Sequence, residues 1–175
     1  MAPTQTSPNT DNYYVGKGKV YIKLAEDADW VDIGNVPEFE FTPAVEKLDH
    51  FSSRAGVRSK DKSIVTEKSA SLRIVMEEWT ARNLQLALLG AIDDSQPQVT
   101  IDIFSLSSIQ AQVKFEGTND QGPKWNFEFP KVEFTPSAAL NPISDEWGQI
   151  EVTGEILFDD NTQSWGTATG DFSQS

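Results

Sequence analysis

Apolar and polar residues alternate along most of the chain. Val20, Ile22 and Leu24 are interleaved with Lys19, Tyr21 and Lys23, and Ala70, Leu72, Ile74 and Met76 with Ser71, Arg73 and Glu77. A period of two marks a strand with one dry face. The same spacing recurs at Val99, Ile101 and Ile103, at Ala111, Val113 and Phe115, at Trp125, Phe127 and Phe129, and at Ile150, Val152, Ile156 and Phe158. Between these runs, residues 26–29 and 117–123 hold the Gly, Asn, Asp and Pro that tight reversals need. The pattern predicts a mainly β fold, an antiparallel β-sandwich or barrel.

One stretch occurs twice. Pro37-Glu38-Phe39-Glu40-Phe41-Thr42-Pro43 returns as Pro130-Lys131-Val132-Glu133-Phe134-Thr135-Pro136, with Pro, Glu, Phe, Thr and Pro in matching places. Both copies alternate like strands. Proline cannot donate to a ladder, so the copies are expected to begin and end at their prolines or to lie at a sheet edge, in equivalent places of two sheets.

A helix is expected over residues 80–89, with Thr80 capping its first turn and Gly90 as the left-handed residue after its last. Leu84 and Leu88 lie one turn apart, and Leu86, Ala87 and Leu89 widen the apolar surface. Such a helix either covers an open sheet edge or a neighbour, or plugs one end of its own sandwich. From residue 44 to 66 neither period persists, and a stretch of that length without regular structure points to a functional arm. Phe51, Val57, Ile64 and Val65 among its cations suit an arm that folds against a partner.

At 175 residues the chain is one domain on length, with no apolar run able to span a bilayer. The expected organisation is a flexible N-terminal segment at 1–12, a β domain at 13–158 with the arm at 44–67 and the helix at 80–89, and a polar tail at 159–175. No basic-then-apolar leader opens the chain, so synthesis in a cytoplasm is expected. Cysteine is absent, which removes disulfides, thiolate metal sites and cysteine nucleophiles.

Charge changes the picture more. Acidic residues outnumber basic ones 27 to 14, which disfavours tight nucleic-acid binding, since that draws on cations to displace phosphate counterions. Residues 46–73 run the other way, with seven basic against four acidic side chains, net +3, leaving −16 on the rest. A basic segment on an acidic body either finds its complement on another copy of the chain or is a solvated loop.

Catalytic chemistry is poorly represented. His50 is the single histidine, and Asp49 beside it in sequence carries little geometric information about a triad. The acidic pairs Glu77-Glu78 and Asp159-Asp160 are expected to point to opposite faces if they lie on strands. Calcium-loop spacing, a glycine-rich phosphate loop, a histidine pair for zinc and a dinucleotide fingerprint are all missing, so no enzyme activity, metal or cofactor is expected.

Three motifs carry a family likeness. The run Lys47-Leu48-Asp49-His50-Phe51-Ser52-Ser53-Arg54-Ala55-Gly56-Val57-Arg58-Ser59-Lys60-Asp61-Lys62, then Glu78-Trp79-Thr80-Ala81-Arg82-Asn83-Leu84 through Leu88-Leu89-Gly90, with Gly34-Asn35-Val36-Pro37-Glu38-Phe39 before the arm, resembles the major tail tube proteins of long-tailed bacteriophages. The likeness covers about residues 13–158. It implies a β-sandwich with one flanking α-helix and a long extended arm, an architecture shared with type VI secretion tubes. Its sheets would join those of neighbours into a ring, commonly of six, and the rings would stack into a tube.

The resemblance implies a virion protein that conducts DNA during ejection without binding it tightly. Its partners would be other copies, further tail proteins and a tape measure protein, with no membrane. Lys47, His50, Phe51, Arg54, Val57, Arg58, Lys60 and Lys62 become the expected subunit-interface residues of the arm. Glu38, Glu40, Glu133, Glu151 and Glu155 are polar-face candidates for an acidic lumen. Two other readings stand beside it: a type VI secretion-like tube, and a carbohydrate-binding or adhesive β-sandwich with Trp30, Trp79, Trp125, Trp147 and Trp165 as platforms.

Overall fold

The structure is a computed structural model and describes residues 8–54 and 56–171. Among these the elements run β1 Gly18–Leu24, β2 Val31–Asp32, β3 Glu38–Ser52, β4 Ser59–Met76, α1 Ala81–Leu88, β5 Ala91–Asp93, β6 Thr100–Asp102, β7 Ile109–Gly117, β8 Lys124–Pro136, β9 Ile150–Ile156 and β10 Thr167–Asp171. All pairings are antiparallel, in the order β2-β1-β7-β8-β9-β4-β3, with β10 also on β8. β5 and β6 form a separate ribbon. The mainly β, antiparallel fold expected from alternation is the one observed.

A single bent strand makes two layers from this sheet. The first half of β8 pairs with β10, Glu128 opposite Thr167, while its second half pairs with β9, Val132 opposite Ile156. Between the halves, two steps along β7 from Ala111 to Val113 match three along β8 from Val132 to Phe129. An extra residue of this kind bends a strand and increases its twist. The folded sheet brings β3 over β7 and β8, where Phe39 stacks on Phe115 and Phe41 meets Phe129, each at 5.3 Å between ring centroids. The inward residues of β1, β4, β7, β8 and β9 fill the space between, including Ile22, Ile74, Val113, Phe134 and Val152.

Several expectations need correction. Pro37 and Pro136 do bound their strands, but Pro43 and Pro130 lie inside β3 and β8. Pro43 is tolerated because β3 is an edge strand, and Pro130 because it falls in the bulge with no partner in either ladder. The segments 125–129 and 130–136 are one strand. The two repeats share one sheet, flanking the β9–β4 pair, one at the edge and one inside. Of the run at Val99, Ile101 and Ile103 only Thr100–Asp102 is a strand, and both outer residues are exposed.

The helix begins as expected, the Asn83 N–H donating to the Thr80 hydroxyl at 3.2 Å. Its left-handed residue, however, is Leu89, at φ 46°, not Gly90. Gly90 answers a different need: a Cβ there would lie 2.4 Å from Ile101 Cγ2 and 2.8 Å from the Asp102 carbonyl, so only glycine lets β6 approach. Leu86, Ala87 and Asn83 form the buried face, with Leu84 at its margin, and α1 packs on its own β8 and β9. Asn83 anchors it, donating to the carbonyls of Ile33 at 2.9 Å and Glu78 at 2.8 Å.

The described parts of both terminal segments contain regular structure. Residues 10–12 form a 3₁₀ turn, and the tail continues past Phe158 through an Asp159–Ser164 bridge into β10. β10 lacks an apolar pattern because it joins β8 through its backbone. Residues 1–7 of the expected flexible N-terminal segment and 172–175 of the polar tail lie outside the described residues.

Candidate assembly interface

The arm is a β-hairpin. β3 and β4 stay paired far beyond the sandwich, from Ala44 opposite Ser69 to Ser52 opposite Ser59, a projection of roughly 25–30 Å at about 3.3 Å per residue. Absence of regular structure was thus the wrong expectation, and two causes explain it. Solvent wets both faces, so neither is uniformly apolar. The register also shifts at Glu46/Lys47 and again at His50/Phe51, which breaks the alternation along β4.

Residues directly opposite in such a ladder share a face. Lys47, Asp49 and Phe51 lie with Val65, Ser63 and Lys60 on the side that continues the sandwich interior, and Leu48 and His50 with Ile64 and Lys62 on the other. Val45, Leu48, Ile64 and Val65 are exposed there, an apolar component that the charge pattern masks. Lys60 Nζ lies 2.8 Å from Asp49 Oδ1, His50 Nδ1 lies 2.6 Å from Asp61 Oδ1, and the Arg58 guanidinium sits over the Phe51 ring at 5.5 Å. Arg54 and Val57 occupy the tip. Among the described residues Lys47, Arg54 and Lys62 form no salt bridge.

Asp49 is held below the usual carboxylate range by hydrogen bonds from Lys60 and then Ser63. A depressed folded-state value contributes stability above the unfolded value that is lost as pH falls through the folded one. The protection of the hairpin amides, their exchange rate taken relative to the intrinsic rate at each pH, should therefore fall modestly below about pH 4, and Asp49→Asn should remove that component. An identical acid response in the variant would refute the assignment.

The five acidic candidates share the outer face of the layer β8-β9-β4-β3. Arg73 gathers three of them: its guanidinium bonds Glu38, lies 2.7 Å from Glu151 and 3.5 Å from Glu40, and its pKa is raised, first by Glu151 and then by Glu38. Glu133 and Glu155 stand directly opposite each other across β8 and β9, with Gln110 Nε2 donating to Glu133 at 2.7 Å. Like charges so placed repel, a penalty that an external cation would relieve. The arm and acidic sets are each brought together, but not to one another. At the root of the arm, Phe39, Phe41, Phe115, Phe127 and Tyr14 line a cavity of about 460 Å³.

The two acidic pairs have structural partners. Glu77 and Glu78 do not diverge: both turn to Asn35, Glu78 accepting from its backbone N–H at 3.1 Å and Glu77 from its side-chain amide at 2.5 Å. Asp159 accepts from the backbone N–H and hydroxyl of Thr162, at 2.9 and 2.7 Å. Among the described residues no three His, Asp or Glu side chains gather as a metal site, and no helix is long and apolar enough to cross a membrane. Trp165 packs on Phe158 and the core, while Lys114 covers Trp30.

A family model described as "Protein of unknown function UCP028589" matches residues 13–100 and 93–174. No curated protein matches the sequence. Among solved structures, a chain from "Cryo-EM structure of the anti-feeding prophage (AFP) baseplate, 6-fold symmetrised" is similar at TM-score 0.53 and 12% identity, over 94% of this chain and 97% of that one. At that identity the likeness is one of fold.

Proposed function

We propose, for a chain that belongs to the family of proteins of unknown function UCP028589, a structural part in a phage-type tail: a subunit that assembles with its own kind into stacked rings around a DNA conduit. The observation that carries this reading is the basic hairpin reaching away from an acidic sheet on one small domain. Such a domain has unmet complementarity that other copies satisfy. The open edge of β3 adds a reason to assemble, since ring closure pairs edges that otherwise invite uncontrolled association. Six subunits per ring is the number suggested by the tail-tube resemblance.

With Glu38, Glu40, Glu133, Glu151 and Glu155 facing the bore, passing DNA gains no counterion release and slides without sticking. Screening confines the effect to about 8 Å at physiological salt. The role is non-enzymatic and sited in the virion, with other tail proteins and a tape measure protein as neighbours. The similarity to a baseplate chain favours a second arrangement, one terminal ring in place of a stack. Electron microscopy of the purified protein at rising concentration tests both. Rings that extend into tubes are expected, isolated rings would support the baseplate arrangement, and monomers throughout would overturn self-assembly.

A further inference from the structure

An exposed patch, apolar and acidic, lies at the far end of the fold from the arm tip. Residues 137–149, which join β8 to β9, lie across Val75 near the end of β4, and Gly148 sits against the Trp79 indole. From this base Ile143 and Trp147 project almost wholly into solvent, 96% and 91% exposed. Asp145 and Glu146 stand between them, and 137–149 contain no Lys or Arg. The Glu146 backbone N–H donates to Ser144 Oγ at 3.0 Å, which shapes the turn presenting them.

The arm tip has the inverse composition. Val57 is 91% exposed, Arg54 and Arg58 flank it, and residues 52–60 include no acidic side chain. Each patch therefore offers apolar surface bordered by charge of one sign, and the signs are opposite. They cannot meet within one chain. β4 carries both, Ser59 at the tip and Val75 under the loop, and sixteen steps of extended strand separate them by roughly 50 Å. Two complementary patches at opposite ends of one chain can meet only between copies, and such a heterologous contact closes into rings or propagates as a filament.

We propose that the 143–147 loop of one copy is the receptor for the arm tip of another. Val57 packs against Ile143 and Trp147, Arg54 and Arg58 face Asp145 and Glu146, and the Trp147 ring offers a cation–π face to either arginine. This rests on the self-assembly reading and names the surface used by it.

The absence of cysteine makes the test clean. Val57→Cys and Trp147→Cys chains, mixed and oxidised with copper–phenanthroline, should form the 57–147 disulfide at least tenfold faster than Val57→Cys with Glu155→Cys, a control on the acidic sheet. All three positions are on the outside, so folding is preserved. Preferential joining to position 155, or equal rates in a preparation that forms rings, would overturn the receptor assignment alone. A wild-type protein that stays monomeric in sedimentation, with no cross-link in either mixture, would overturn self-assembly and this contact together. As a second readout, Arg54→Glu with Arg58→Glu should abolish assembly, and adding Asp145→Lys with Glu146→Lys should restore it. Failure of that restoration also counts against the pairing.

Discussion

Replacing Arg58, Lys60 and Lys62 with glutamate should stop ring and tube growth while leaving the β-sheet circular dichroism unchanged. All three side chains lie on the exposed hairpin. Arg58 covers Phe51, Lys60 pairs with Asp49, and Lys62 stands across from His50, so their replacement disturbs only surface contacts of the monomer. Exposed ion pairs contribute up to about 1 kcal/mol each, and three attractions turned to repulsions raise the concentration needed for assembly by about 100-fold or more. Sedimentation and electron micrographs at matched concentrations measure it. Unimpaired tubes from the triple variant would remove the charge basis of the proposed assembly.

The two copies of the repeated strand should respond very differently to truncation. Phe134 is 1% exposed inside β8, whereas Phe41, its counterpart in β3, is 42% exposed on the edge strand. Phe134→Ala leaves a core cavity and should lower stability by about 3–5 kcal/mol. In a chain of this size that is a fall in Tm of roughly 6–20 °C. Phe41→Ala should cost the monomer only about 1 kcal/mol, because much of its ring is already in water and its contact with Phe129 is at a margin. Thermal melts of dilute protein separate the two. Equal losses would mean that the repeats occupy similar environments, contrary to the sheet order.

Much of the sandwich is readable from alternation because β1, β7, β9 and the second half of β4 each bury one face. The hairpin is not, since alternation records burial and no face of it is buried within its own chain. β10 escapes notice for a related reason: it is held by main-chain pairing with β8 rather than by apolar side chains. Gly90 is recognisable as a helix stop, but its close approach to Asp102 is a property of β6, and Leu89 takes the strained turn instead.

The candidate site divides in the same way. Its charge split is plain in composition, and the outward placement of Glu133 and Glu155 follows from parity along β8 and β9. The gathering of Glu38, Glu40 and Glu151 around Arg73 depends on the register of three strands that are distant in sequence. Nothing in the local pattern marks Ile143 and Trp147 as exposed either, because an apolar residue in a loop is equally compatible with core and surface.

By itself the sequence determined the strands that bury one face, where the helix starts, and that a cationic stretch sits on an acidic chain, because these depend on residues close together along the backbone. Tertiary structure decided that the arm is a hairpin, that β8 changes partners at Pro130, and that arm tip and exposed loop lie at opposite ends of β4. The physical reason is that strand register and partner choice are set by contacts between residues far apart in the chain, which no local period encodes.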